Sequence, residues 1–599
     1  MYWIHRTALV VLVTGALAAC QPPVSTPALP TATREVVTNE TPAAPTFTPE
    51  PEPVIVDVYL GMSPTTIDPL FAGANDPVAG DLIENLFTGL TTIDPASGEV
   101  LPALAREWQQ LEDKRTWQVF LRDDVRWVSI NPQTGQMEVV RPVTASDVVF
   151  AVRRACSSEA AAGAAITAAF LIDGCQEIAR QPAGALSDSE IEQMLGVRVL
   201  NDIAVEFRLT RDSATFPTVL AMPILRPVPA DLVEAEGEAW TSPEKIWTNG
   251  PFALQPSIPF EEGATMVANQ FWPLEHPGNV EIVQVAFNTD ADEAYRAWRT
   301  GRLALAAMPV DEALRTAFAP GSQYRLHACP VTSMLSFSYD TAPLGLAEVR
   351  RGLALGLDRE ALVEDAAVGE GACFMGLPAS SIIPPGTAGL PGEEAQGAGY
   401  QVSEARAELV TAGYSRCAFL PQLTLLTDDT FPASAEMAHR MGDLWAEALE
   451  CTNRVSIEQV SLFDLFGTLR AMPDARGEPR PGLITLSWQG DLYDAQHWLA
   501  DIIGCRELFP DAYLNQGREC APADETLLEA DTEPDPARRA SLLAEANTAF
   551  FGTAGEMPVI PLYHWARPLA VQGWLDPGPG EGGPLRFANW VVDAEEMAR

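Results

Sequence analysis

Apolar residues recur at every second position in "VIVDVYLGM", placing Val54, Val56, Val58 and Leu60 on one face of a strand. The period then lengthens. In "PVAGDLIENLFTGL" the apolar positions Val78, Leu82, Leu86 and Leu90 fall four apart, which predicts a helix. Alternation returns in "TWQVFLR", with Trp117, Val119 and Leu121 inward, and in "IAVEFRL", with Ile203, Val205, Phe207 and Leu209 inward. Between them "TASDVVFAVRRAC" starts a helix with Thr144 as N-cap and Asp147 in the capping-box position.

Beyond residue 400 the two periods alternate more regularly. "SEARAELVTAGY" predicts a helix capped by Ser403 and stopped at Gly413. "PQLTLLT", "RVSIEQV" and "LITLSW" read as strands, and "SAEMAHRMGDLWAEALE" as a helix between the first two. "DPARRASLLAEANTAFF" is a late helix with Asp535 at its cap and Pro536 at its first position. Buried strands alternating with helices predict parallel sheets covered by helices, an α/β architecture. At 599 residues two α/β lobes fit better than one sheet, and no internal repeat is visible.

The strand "LITLSW" runs into sequence of a different kind. From Trp488 to Trp498, "WQGDLYDAQHW" gathers three aromatics, His497, Asp491 and Asp494. Such a strand end suits a catalytic centre, a ligand anchor or a capped helix start. Catalysis finds little support, because no G-x-S-x-G elbow, H-E-x-x-H, Walker loop or dinucleotide fingerprint is present. His276, His327, His439, His497 and His564 are scattered, so neither a metal site nor a cofactor is expected. Among 81 acidic residues a glycosidase-like carboxylate pair stays open on spacing alone.

Charge narrows the partners. Thirty-eight basic side chains against 81 acidic ones give a formal net charge of −43, which excludes nucleic acid as a partner, since phosphate binding needs a basic surface. Lys114 and Lys245 are the only lysines, leaving Schiff-base chemistry almost without candidates. The N-terminal "MYWIHR" and the apolar "TALVVLVTGALAA" are of signal-peptide kind, and "LAAC" ends in small residues before Cys20 in the manner of a bacterial lipobox, where the cysteine is lipidated. Residues 21–53 hold nine prolines and seven threonines and predict an unfolded tether reaching on the order of 100 Å. No later segment is long and apolar enough to cross a bilayer.

Eight cysteines remain after Cys20: Cys156, Cys175, Cys329, Cys373, Cys417, Cys451, Cys505 and Cys520. An even number in an exported chain predicts disulfides, with on the order of a hundred pairings open. Pairing neighbours gives Cys156–Cys175, Cys329–Cys373, Cys417–Cys451 and Cys505–Cys520. Cys417 and Cys451 each precede a strand of one βαβ unit, and parallel neighbours bring strand starts together, which supports that pair. Metal binding is the rival, without C-x-x-C or histidine-paired spacing to support it.

Several stretches, in order along the chain, resemble the bacterial family 5 extracellular solute-binding proteins, the peptide/nickel class that feeds ABC importers. "LIENLFTGLTTIDPASGEVLPALAREWQQLEDKRTWQVFLRDDVRW", from Leu82 to Trp127, is similar to the family's signature region. "RPVTASDVVFAVRRA", "TNGPFAL", "EVRRGLALGLDREALVE" and "GEMPVIPLYHW" resemble later family segments. The chain departs at "VSINPQTGQMEVV", an insertion or enlarged hairpin near residues 128–140, at Ser338 in "FSYD" where the family has asparagine, and in "GRLALAAMP", which lacks the usual aspartate.

The resemblance implies an α/β, bilobal periplasmic-binding-protein-like clamp with an inserted subdomain in the first lobe, closing on its solute by hinge motion. Residues 1–19 would be the lipoprotein signal peptide and 20–53 the lipidated cysteine and linker. Residues 54–95, 205–325 and 556–599 would form lobe I, 96–204 the inserted subdomain, and 326–555 lobe II. "SWQGDLYDAQHWL" resembles the family's "GWxxDYxDPxNFL", which implies Asp491 as the anchor for a peptide's α-ammonium, Trp488 as an apolar wall and Tyr493 as a third contact. Asp494 takes the family's structural aspartate position as a loop or helix cap, with Ala495 replacing the proline after it, and His497 and Trp498 lie behind as helix residues. Met62, Ser63, Phe337, Ser338 and Tyr339, which follow strands, are weaker candidates. The expected protein is a monomer, lipid-anchored on the outer face of the cytoplasmic membrane, that passes a peptide or other small solute to an ABC permease and ATPase complex. Oligosaccharide, nickel-chelate or haem binding by the same fold, a secreted hydrolase using paired carboxylates, and a signalling co-receptor are the alternatives.

Overall fold

The computed structural model describes residues 52–598, apart from 72–75, 159, 161–168, 257, 317–322, 365, 370, 391–395, 431, 452–453, 471–481, 491, 511 and 515–516. Cys20, the signal-like segment, the tether up to residue 51 and Asp491 therefore lie outside the described residues. Eleven strands share one sheet: β1 (Ile55–Gly61), β2 (Phe252–Gln255), β3 (Gly263–Ala268), β4 (Ile282–Phe287), β5 (Leu305–Ala307), β6 (Tyr324–Phe337), β7 (Met375–Pro378), β8 (Leu423–Asp428), β9 (Val455–Val460), β10 (Leu483–Gln489) and β11 (Val559–Val571). Their order is β2-β3-β4-β1-β5-β11-β6-β10-β8-β9, with β7 on the side of β11.

The two largest apolar cores among the described residues lie along this sheet. Val58, Leu82, Trp127, Phe207 and Phe587 belong to the first, and Leu335, Leu353, Leu425, Trp445 and Phe550 to the second. Each has an α/β centre: β1 is parallel to β4 and β5 in the first lobe, and β8 is parallel to β9 and β10 in the second. The antiparallel strands β6 and β11, 14 and 13 residues long, pass between them. In β11, Val559 and Ile560 pack in the second core, and Leu569 and Val571 in the first.

The sheet corrects the expectation of two separate parallel sheets. Beside the parallel pairs stand antiparallel ones, and the β6–β11 ladder carries the hydrogen bonding from one lobe to the other. Alternation of apolar residues looks the same whichever lobe covers a strand, so a crossing strand carries no local mark.

In the first lobe, Ala105–Gln110, Thr116–Leu121, Ala204–Arg208 and Val197–Asn201 form a four-stranded antiparallel sheet. Ala204–Arg208 lies beside Thr116–Leu121 in it, Val205 opposite Val119. The segment near 128–140 is a hairpin of Arg126–Ile130 and Met137–Pro142. The Asp147 carboxylate accepts the Thr144 N–H at 2.9 Å, as the capping box predicts, and also takes the Trp127 indole N–H and two bonds from Arg141 of the hairpin.

Two helix expectations shift. The first helix ends at Leu86, and Leu90 is buried in the loop beyond it. The helix expected from Ser403 spans Val402–Thr411 with Gln401 at its N-cap, because the Gln401 N–H donates to Leu355 O and fixes the chain there. The four cysteine pairs are those formed by neighbours, with Cα–Cα separations of 4.8, 6.4, 4.9 and 5.0 Å in chain order. Cys417 and Cys451 precede the parallel strands β8 and β9, where Leu423 lies beside Val455.

Candidate functional site

Strand direction locates the crevice. β6 runs from the first lobe into the second and β10 is antiparallel to it, so β10, with β8 and β9, points back towards the first lobe. β11 runs the other way and β5 is antiparallel to it, so β5, with β1 and β4, points towards the second. Both sets of parallel strands end at the gap between the lobes, the side of an α/β sheet where ligands bind.

Trp488 stands at that end of β10, opposite Thr332 of β6, which is in turn opposite His564 of β11. The Tyr513 ring lies 4.3 Å from the Trp488 ring, and the buried Trp488 Nε1–H has no acceptor among the described residues. The Thr332 hydroxyl donates to Ile382 O at 2.9 Å, so its single proton is used. It therefore accepts from His564 Nδ1–H at 2.8 Å, which places a proton on Nδ1. Burial pushes the pKa of His564 down to about 3.

The residues around position 491 are set by close packing. The Gly490 N–H donates to Pro330 O at 2.9 Å, and a Cβ at Gly490 would come within 2.6 Å of Cζ2 of the buried Trp498. Leu492 belongs to the first core, and half-buried Tyr493 packs against it. Burial, reinforced by the Glu84 and Asp81 carboxylates, pushes the Tyr493 phenol up to about 12. Burial acts to raise Glu84, but the Arg226 and Arg586 guanidiniums hold it below the usual carboxyl range.

Asp494 serves as more than a loop cap. Fully buried, it accepts the Gln496 N–H at 2.8 Å, two bonds from Arg539 at 2.7 and 3.1 Å, and the Thr218 hydroxyl of the first lobe at 3.0 Å. Behind it His497–Ile502 form a π-helical turn in which His497 and Trp498 are buried.

The structure does not bring all the candidate residues together. Since β6 and β10 are antiparallel, Phe337 lies opposite Leu483, five positions from Trp488, or about 17 Å along the strand. Ser338 is buried there, its N–H donating to Gly482 O, and the Arg350 guanidinium stacks 4.3 Å from the Tyr339 ring. Met62, by contrast, follows β1 at the crevice end and is 75% exposed, with the Ser63 N–H donating to Asn288 Oδ1 at 3.1 Å. Tyr513 escaped the sequence reading because it sits in an irregular loop. Its one signal is the pair Cys505 and Cys520 bounding it. Among the described residues no group of three or more His, Cys, Asp or Glu side chains is placed to hold a metal ion, and no helix is long and apolar enough to cross a membrane.

Comparison with known proteins agrees with this architecture. The model of "Bacterial extracellular solute-binding proteins, family 5 Middle" matches residues 99–506. The oligopeptide-binding protein OppA of Bacillus subtilis strain 168 is 26% identical over 538 residues, covering 85% of this chain and 88% of that protein. The probable deoxycholate-binding periplasmic protein YgiS of Escherichia coli K12 is 26% identical over 547 residues, covering 89% and 91%. The unliganded open form of the periplasmic murein tripeptide binding protein MppA superposes with a TM-score of 0.69 at 20% identity, covering 90% of this chain and 98% of that one.

Proposed function

Because the chain belongs to the bacterial extracellular solute-binding proteins of family 5, we propose that it is the receptor of an ABC importer, that it takes a peptide between its lobes, and that it binds without catalysing. The observation that carries this reading is the family match across residues 99–506 together with Trp488 at the crevice end of β10. Asp491, which follows Gly490 in the chain, is the proposed partner of the peptide's α-ammonium. An ammonium enclosed between lobes without a carboxylate bears a prohibitive desolvation cost. Trp488 and Tyr513 supply an apolar wall that makes no demand on peptide sequence.

In the same reading residues 54–95, 205–325 and 556–599 with the inserted part form lobe I, and 326–555 lobe II, with β6 and β11 as the hinge. Cys20 is the site of lipidation, and the tether of residues 21–53 holds a monomeric body outside the cytoplasmic membrane. The resemblance of "LAAC" to a lipobox supports this anchoring. A bile-acid-like ligand is the second reading, favoured by the similarity to the probable deoxycholate-binding protein.

Isothermal titration calorimetry with a free peptide, its N-acetylated form and deoxycholate tests the proposal. Asp491→Ala is expected to weaken the free peptide by about 3–5 kcal/mol, hundreds- to thousands-fold, because a buried charge loses its partner. The acetylated peptide should bind wild type weakly. Unchanged affinity in Asp491→Ala would remove the anchor, and binding of deoxycholate alone would favour the second reading.

A further inference from the structure

The segment "PGPGEGGP", Pro577–Pro584, follows β11 and has little side chain with which to fill space. Gly578, Gly580 and Gly583 take φ values of +81°, +111° and +82°, which favour glycine and let the loop double back over the sheet. Two bonds pin it there. The Ala328 N–H donates to Glu581 O at 2.6 Å, and His327 Nε2–H donates to Gly583 O at 2.7 Å. Beneath the loop Leu305 of β5 lies opposite Val571 of β11, and Arg325 of β6 opposite Leu569 of β11, so these side chains and His327 share one face of the sheet. Loop and face enclose a cavity of about 40 Å³, room for a few waters or one small solute. Arg325 precedes Thr332 by seven positions in β6, about 23 Å along the strand, so this cavity is not part of the crevice.

Its lining runs against the acidity of the chain. Arg325, Arg586, His327 and Asn589 are its side chains with polar atoms, and no carboxylate lines it. Behind it Asp81 pairs with Arg567, while Glu84 is shared by Arg226 and Arg586, the latter through Nε at 2.9 Å. Arg325 has no carboxylate within ion-pair distance among the described residues. Four arginines therefore stand against two buried carboxylates. Asp94, close enough to feel Arg586, spends its carboxylate on the N–H groups of Ala96 and Ser97, and Glu581 is exposed. Burial, reinforced by Arg567 and Arg325, pushes His327 down to about 3, as a positive field does. In a chain of net charge −43, an uncompensated guanidinium facing a cavity points to an anion.

We propose that this cavity binds a small organic carboxylate, its oxygens held by the terminal nitrogens of Arg325 and Arg586 and by the Asn589 amide, its alkyl group against Leu305, Leu569 and Val571. Bonds from guanidinium to carboxylate are charge-assisted and stronger than neutral ones. The leucines and the valine cover a short alkyl group, which an inorganic oxyanion lacks. The site lies in the first lobe alone and does not rest on the peptide-receptor reading.

Calorimetry on the full chain at constant ionic strength, with propionate, propionamide and phosphate, tests this. Propionate is expected to bind, and propionamide, which has its shape without its charge, to give no signal. Arg325→Gln should weaken propionate by about 10-fold or more, the worth of a bond to a charged group. It should melt as wild type does, because Arg325 is exposed. Saturating trialanine should leave the propionate affinity unchanged, since the crevice is elsewhere. Absence of propionate binding would leave the cavity to water and overturn the inference, as would equal affinity in Arg325→Gln. Competition by trialanine would overturn it by placing propionate in the crevice, and phosphate binding more tightly than propionate would overturn the carboxylate class. Propionate binding by a protein that takes no peptide overturns the peptide-receptor reading alone, and the converse overturns this inference alone.

Discussion

His564 shows how burial acts on one titratable group beside the crevice. An ordinary imidazole titrates near pH 6.5, and burial holds this one at about 3. Between those values the unfolded chain takes up a proton that the folded chain refuses, so stability is full above about pH 6.5 and falls as pH drops. At pH 5 the loss from His564 is about 2 kcal/mol. Glu84, whose folded pKa is lowered, adds stability that is lost only below the carboxyl range, leaving pH 5 clear. Urea unfolding at pH 7.5 and pH 5 should therefore show a drop about 2 kcal/mol larger in wild type than in His564→Gln, and equal drops would rule out the buried neutral imidazole. Neither this role nor the need for glycine at 490 was legible in the sequence. His564 was one scattered histidine among five, and the indole that excludes a Cβ at Gly490 comes from Trp498, eight residues on.

At the scale of elements, the periods read from the sequence located the strands and helices closely. Asp535 caps its helix as expected, its carboxylate accepting the Arg538 N–H at 2.8 Å. Gln401, not Ser403, caps its helix, where its N–H donates to Leu355 O. The loop between Cys505 and Cys520 illustrates what a period cannot show. It carries Tyr513, whose N–H donates to Asp501 O at 2.9 Å, and so presents a ring to Trp488. With its cysteines 15 positions apart, the loop owes about 3 kcal/mol to the cross-link. Cys505→Ala with Cys520→Ala should lower the urea-unfolding free energy by about that amount and speed proteolysis within 506–519. Unchanged stability and cleavage would mean that packing alone holds the loop.

At the scale of the molecule, the lobes touch beyond the crossing strands. Asp531, in the second-lobe helix Pro522–Thr532, pairs with Arg211 and accepts the Ser213 hydroxyl at 3.0 Å, both from the first lobe. Thr218 reaches Asp494 beside it. Asp531→Ala is expected to cost about 1–3 kcal/mol and to raise the ligand-free radius of gyration in small-angle scattering. An unchanged radius would show that β6 and β11 set the lobe spacing alone.

The sequence by itself determined the local periods, the caps, the neighbouring cysteine pairs and a family likeness spread over most of the body, because each rests on residues near one another in the chain. Only the tertiary structure decided which strand ends meet. Trp488 and Ser338 both adjoin strand ends in the sequence, yet the antiparallel pairing of β6 with β10 sends one to the crevice and the other about 20 Å away. Strand alternation marks a face and not a direction, so direction, and with it the composition of the crevice, waits on pairings between residues far apart in the chain.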